Sequence, residues 1–167
     1  MTGLDAFVGE RQIASPEAME QLGREIGAAL GAGDLVVLTG PLGAGKTTLT
    51  RGIGAGLGIR GPVQSPTFVL ARTHPSLVGG PALVHVDAYR LGSPAELDDL
   101  DIDLAHSAVI VEWGRGMVDG LVDHWWEIEI ARGWSGTGID NACGTAGPAY
   151  AEMEDAAPRE VTITRRP

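Results

Sequence analysis

LVVLTGPLGAGKTTLTRG, residues 35 to 52, joins a short β-branched run to a glycine-rich loop and then to residues compatible with a helix. Gly40, four intervening residues, then Gly45, Lys46 and Thr47 give the spacing G-x-x-x-x-G-K-[ST], a Walker A pattern. Glycines are needed because the backbone must wrap a phosphate with its N–H groups turned inward, in conformations that a Cβ resists. On this reading Gly40, Leu42, Gly43, Ala44, Gly45, Lys46, Thr47 and Thr48 bind nucleotide phosphates. Lys46 reaches the β and γ groups, and the Thr47 hydroxyl meets Mg²⁺. The flanking strand at 35–39 and helix at 46–57 put the loop at a helix N-terminus, whose dipole favours anions. Lys46 is also the sole lysine of the chain, every other basic side chain being arginine. A composition that avoids lysine has kept one where a compact point charge suits a phosphate.

Outward from the loop, 167 residues suit a single domain over 1–167. The formal charge of −10 argues against autonomous, high-affinity nucleic-acid binding, because phosphate neutralisation needs a basic surface. Cys143 has no second cysteine to pair with. No apolar run is long enough for a transmembrane helix, and MTGLDAFVGE lacks the regions of a signal peptide, so a cytoplasmic protein is expected.

The pattern predicts a strand near 7–13. Ser15, Pro16 and Glu17 then read as N-cap, first helical position and acidic first turn, with Leu22, Ile26, Ala29 and Leu30 at helical spacing and a stop at Gly31 to Gly33. Glycines 52, 54, 56 and 58 suggest that the helix after the loop frays. Extended segments follow at 67–72, 83–87, 108–112, 125–130 and 160–164. Strands alternate with helices early and run together later, which predicts an α/β, three-layer P-loop NTPase-like fold with a mixed, partly antiparallel sheet. The stretch 131–158, rich in Gly, Ala and small polar residues, reads as a flexible insertion between two hairpin strands, decoration more readily than a lid.

The chemistry is expected at strand ends. Asp87 closes ALVHVD and Glu112 closes AVIVE, so both carboxylates should emerge at the C-terminal edge of a sheet. One can hold the Mg²⁺ shell while the other positions the attacking water. Ser65-Pro66-Thr67 is either a γ-phosphate-sensing connection or only a turn. Trp113 either stacks on a base or packs. Asp99, Asp101 and Asp103 alternate as an EF-hand loop begins, but Leu104 and Ile110 stand where Gly and Glu are required, leaving a solvated acidic face. Histidines 74, 85, 106 and 124 show no metal-ligand spacing, and His85 reads as a structural histidine on the face of Asp87.

LTGPLGAGKTTLTRG, VQSPTFVL, HVDAYRL and VIVEWG, in that order, resemble the TsaE family, also called YjeE, of small bacterial ATPases required for threonylcarbamoyladenosine in tRNA. SPTF and H-x-D-x-Y-R-L are far more specific than the Walker pattern. The resemblance covers residues 15 to 130, with VTITR at 161–165 resembling the family's last strand. It implies an ATPase that uses Mg²⁺, is weak alone, and works with the TsaD and TsaB proteins, meeting tRNA only through that complex. By position, Lys46, Glu112 and Thr67 would be catalytic, with Thr67 switch-like. Thr47, Asp87 and Glu112 would serve the metal, Trp113 would lie near adenine, and Arg90 near the switch or a partner. Pro41 and Gly114 stand where the family usually has Asp and Pro, and the 131–158 insertion is longer than usual. A small-molecule kinase would want an arginine-rich lid, yet 131–158 holds only Arg132. A GTPase would want an Asn-Lys-x-Asp that a single lysine rules out. A nucleotide-gated interaction module differs from the ATPase by degree. Slow intrinsic hydrolysis is expected, because no arginine is evidently placed to neutralise transition-state charge.

Overall fold

The computed structural model describes residues 3–66, 68–133 and 157–167. A 3-10 turn over Gly3–Phe7 precedes β1 (Gly9–Ile13), α1 (Pro16–Ala29), β2 (Leu35–Thr39), α2 (Lys46–Leu57), β3 (Ala71–His74), β4 (Ala82–Asp87), α3 (Pro94–Asp98), β5 (Ser107–Glu112), β6 (Trp125–Arg132) and β7 (Arg159–Arg166). The strands form one sheet in the order β1-β7-β6-β2-β5-β4-β3. Its centre, β6-β2-β5-β4, is parallel, and both edges are antiparallel, β3 on β4 at one side and β1 and β7 beyond β6 at the other. β6 and β7 pair as the expected hairpin strands, while most of the insertion between them lies outside the described residues.

Strand β2 is apolar on both faces because both are covered. Val36 and Leu38 pack with Ile110, Ile128 and the inner sides of α1 and α2, whereas Leu35 and Val37 pack with Val84, Val109, Val111 and Leu97. The second covering layer is thin, a five-residue helix and the segments bearing Ile102, Leu104 and Val118. Helix α1 starts as its sequence demands, with Ser15 Oγ accepting from Ala18 N at 3.1 Å and Pro16 in the first turn.

Three expectations are corrected. Phe7 belongs to the 3-10 turn and not to β1. The strand expected over 67–72 begins at Ala71, because Leu70 adopts a left-handed φ of 66° and Phe68 is 90 % exposed, so the apolar run FVL is not laid on the sheet. Thr67 itself is outside the described residues. Finally, α2 does not fray. It runs to Leu57 and closes on Gly58 at φ 69°, and two of its glycines, Gly52 and Gly56, are contact points with α1.

One charged cluster braces the hairpin away from the loop. Glu127 on β6 is buried, and its carboxylate accepts from Arg115 Nε and, at 2.7 Å, from Arg166 Nε, while Arg115 also reaches Glu129 at 2.9 Å. Burial alone would raise the Glu127 carboxyl, but the hydrogen bonds and charges of Arg166 and Arg115 together hold it below its ordinary value of 4.5. A depressed folded-state pKa contributes stability that is present above the ordinary value and lost as pH falls through the lower one. Glu127→Gln is expected to cost about 1–2 kcal/mol at pH 7, both arginines being half exposed, and to cost progressively less below about pH 4.5. Urea denaturation of both proteins at pH 7 and pH 4 measures this.

Candidate functional site

The loop from β2 to α2 turns on Gly43 and Gly45, at φ 76° and 108°, conformations that a Cβ would strain. Gly45 is the N-cap of α2 and supplies no side-chain cap, so the first N–H groups of the helix are left for an anion. Lys46 follows, buried, with Nζ donating to Gly40 O at 2.6 Å and Pro41 O at 3.1 Å. Burial pushes its ammonium below the ordinary value of 10.5, and the charges of Glu112 and Asp87 pull it back up. The lysine thus lies within the field of both acids that the sequence singled out.

Those acids meet through sheet register. β4 and β5 are parallel neighbours, and Asp87 pairs with Glu112 at their C-terminal ends. Asp87 Oδ1 accepts from Tyr89 N at 3.0 Å, and Glu112 Oε1 lies 2.9 Å from His85 Nε2. Trp113 continues from Glu112 with a left-handed φ of 59°, which carries its indole over Lys46 Nζ at 4.9 Å, with Tyr89 edge-on to it at 5.5 Å. An open cleft of about 720 Å³ is lined by Leu42, Gly43, Gly45, Lys46, Thr47, Thr48, Ser65, Asp87, Tyr89, Glu112 and Trp113. Of the remaining residues expected at the site, Gly40 gives its carbonyl to Lys46 and Ala44 is fully buried behind the loop. Thr67 lies outside the described residues, and Arg90 stacks on the neighbouring Phe68 at 5.9 Å.

Sequence reasoning missed the other side of the loop. A small cavity of about 90 Å³, lined by Ile13, Ser15, Pro16, Met19, Ala157 and Arg159 together with Gly43, Ala44, Gly45 and Thr48, shares Gly43, Gly45 and Thr48 with the cleft. Arg132 at the end of β6 donates to Leu42 O at 3.0 Å, and Arg159 at the start of β7 donates to Gly43 O at 3.4 Å, so the hairpin holds the loop from outside. Nothing in the spacing of these residues ties them to the loop. Only the β6–β7 pairing does.

For a cation, the cleft offers the Thr47 hydroxyl and two carboxylates, all oxygen donors. That set suits Mg²⁺, which is commonly held by one or two carboxylates plus the phosphates of its nucleotide. Among the described residues no group of three or more His, Cys, Asp or Glu side chains could hold an ion unaided.

Strand, glycine loop, helix and two strand-end acids define the class, a protein of P-loop NTPase-like fold. The superposition that accords with this is on the crystal structure of Bacillus subtilis YdiB, with a TM-score of 0.61 and 28% identity, covering 92% of this chain and 82% of that one. Within the class, the chain belongs to the TsaE family, whose profile, described as "Threonylcarbamoyl adenosine biosynthesis protein TsaE", matches residues 13–136. The tRNA threonylcarbamoyladenosine biosynthesis protein TsaE of Streptomyces coelicolor is 59% identical over 117 residues, 68% of this chain and 79% of the relative. The protein of the same name from Mycobacterium leprae is 48% identical over 120 residues, 66% of this chain and 74% of the relative. The family's role lies in tRNA threonylcarbamoyladenosine biosynthesis. No helix among the described residues is long and apolar enough to cross a membrane.

Proposed function

We propose that this protein binds Mg-ATP and hydrolyses it, slowly when alone, in support of TsaD and TsaB during threonylcarbamoyladenosine synthesis on tRNA, and that it does so in the cytoplasm without itself transferring the threonylcarbamoyl group. The observation that carries the reading is the convergence of a buried Lys46 with Asp87 and Glu112 at one cleft beside an uncapped helix N-terminus. Lys46 and the loop N–H groups would hold the phosphates, and Thr47 and Asp87 would hold Mg²⁺, with Glu112 within its reach. When bound, the ion would neutralise charge on the phosphates. Glu112 would take the water's proton or orient it. The role of Thr67 rests on the SPTF motif alone.

For the base, the position of Trp113 over the Lys46 ammonium favours the triphosphate end of the nucleotide over the adenine. The apolar wall of Ile13, Pro16 and Met19 across the loop supports placing the base against that side, since nucleotide pockets are mostly apolar with a few polar groups.

The test is ATP turnover by the purified chain, alone and with TsaD, TsaB and tRNA. Slow turnover that rises with the partners is expected. Turnover indifferent to them, together with phosphorylation of a small metabolite, would replace this reading with that of a kinase.

A further inference from the structure

His85 stands fourth in ALVHVD, on a strand otherwise apolar up to Asp87, and its side chain is about as buried as its neighbours, at 3 % exposed. In register it pairs with Ile110, two residues short of the level where Asp87 pairs with Glu112. Glu112 nevertheless turns back along the sheet so that its Oε1 lies 2.9 Å from His85 Nε2. An ionised carboxylate only accepts, so Nε2 carries the hydrogen of this bond. Among the described residues His85 Nδ1, which is buried, has no hydrogen-bond partner. A ring that served packing alone would be better replaced by a valine or leucine, which would bury no unpaired nitrogen.

The two acids are therefore anchored alike, each through one oxygen, but by different means. Asp87 Oδ1 is held by a backbone N–H, that of Tyr89, which no substitution there other than proline removes. Glu112 Oε1 is held by a side chain. Among the described residues its second oxygen has no hydrogen-bond partner, and Glu112 lines the cleft and acts on the Lys46 ammonium.

We infer that His85 is a positioning residue for ATP hydrolysis: by donating Nε2–H to Glu112 Oε1, it fixes the carboxylate so that the second oxygen faces the cleft. The inference rests on the reading of Glu112 as the hydrolytic acid. A long, otherwise rotatable side chain at a strand end is thereby confined to one rotamer, which preorganises the acid before substrate arrives. His85 does not itself line the cleft, so its whole effect passes through Glu112.

Single-turnover ATP hydrolysis by the full chain tests this, with binding of a fluorescent ATP analogue and thermal melting measured alongside. His85→Leu removes the donor and is expected to slow the chemical step about 10–100-fold, the range seen when outer-shell partners of a reactive group are lost, with the analogue's Kd changed less than about twofold. His85→Gln places an amide N–H near the Nε2 position and should recover most of the rate. His85→Asn, whose amide falls short near the Nδ1 position, should not. Should His85→Leu fail to fold, the Gln and Asn pair decides the matter. In a Glu112→Gln background His85→Leu should slow the reaction no further, because a residue that acts only through Glu112 has nothing left to position. A wild-type rate in His85→Leu, equal rates in the Gln and Asn variants, or full additivity in the double variant would overturn the inference while leaving Glu112 in place. An unaltered rate in Glu112→Gln alone would overturn the assignment of Glu112, and with it this one.

Discussion

Lys46→Ala is expected to slow ATP hydrolysis by on the order of 10²–10³-fold and to weaken ATP binding in parallel, while the folded chain persists. The magnitude is that of losing one preorganised donor aimed at developing charge, about 3–4 kcal/mol. The geometry explains why no other residue substitutes. Every remaining basic side chain is an arginine, and two of those near the loop, Arg132 and Arg159, reach loop carbonyls from its outer side. Nζ is meanwhile held by Gly40 O and Pro41 O under the Trp113 indole, so it is already at the loop, and phosphate oxygens would take the place of carbonyls as acceptors. Its loss also leaves Asp87 and Glu112 without the cation that moderates them, which makes an incoming polyanion less welcome still. The fold persists because Lys46 is the first residue of α2 and alanine is the better helix former. Trp113 fluorescence during ATP titration reads the binding, since its ring lies 4.9 Å from the lysine. Undiminished binding in Lys46→Ala would mean that the nucleotide does not use this loop.

The loop and its two acids were legible in the sequence for one reason: their geometry is imposed by the backbone. The spacing of Gly40, Gly45 and Lys46 is a property of the chain, and a carboxylate that closes an apolar run falls at a strand end whichever strand is its neighbour. What the sequence withheld depends on register and on single dihedral angles. That β4 lies beside β5 with Asp87 opposite Glu112, and that Glu112 turns back to His85, follow from a pairing that no spacing encodes. The direction of Trp113 is set by one positive φ, which Glu-Trp-Gly does not announce. The cavity across the loop brings Ile13, Met19 and Arg159 together from three separate elements. At 67–72 the β-forming composition of FVL predicts a strand, yet Phe68 and Val69 are exposed, so their apolarity does not serve the core of this chain. The assignment of Thr67 stays with the motif, because that residue lies outside the described ones.

Gly52→Val is expected to destabilise the protein by more than about 3 kcal/mol, and Gly52→Ala to destabilise it as well, although alanine is the stronger helix former by about 1 kcal/mol. Four glycines, Gly23 and Gly27 on α1 and Gly52 and Gly56 on α2, recur at intervals of four residues, so each pair shares a helix face. A Cβ at Gly52 would overlap the carbonyl of Glu20, one at Gly23 that of Leu49, one at Gly56 that of Arg24 and one at Gly27 that of Ile53, all well inside the 3.0 Å that real contacts respect. The obstacles are backbone atoms, which cannot rotate away as side chains do. A methyl at the contact therefore forces the helices apart, and the separation loosens Leu22, Ile26, Leu49 and Ile53, which pack in the core below. Glycines that weaken α2 as an isolated helix are what allow it to lie on α1, so tertiary contact outweighs propensity. Gly80→Ala is the control: its Cβ would meet only Ser76 Oγ at 3.7 Å, an ordinary contact, and stability should change by less than about 0.5 kcal/mol. Urea denaturation of the three variants measures the series, and a Gly52→Ala protein more stable than the parent would show that α1 and α2 are not in backbone contact. Because α2 begins at Lys46, the same displacement should carry the helix N-terminus off the phosphate position, and ATP affinity should fall in the Gly52 variants but hold in the Gly80 control.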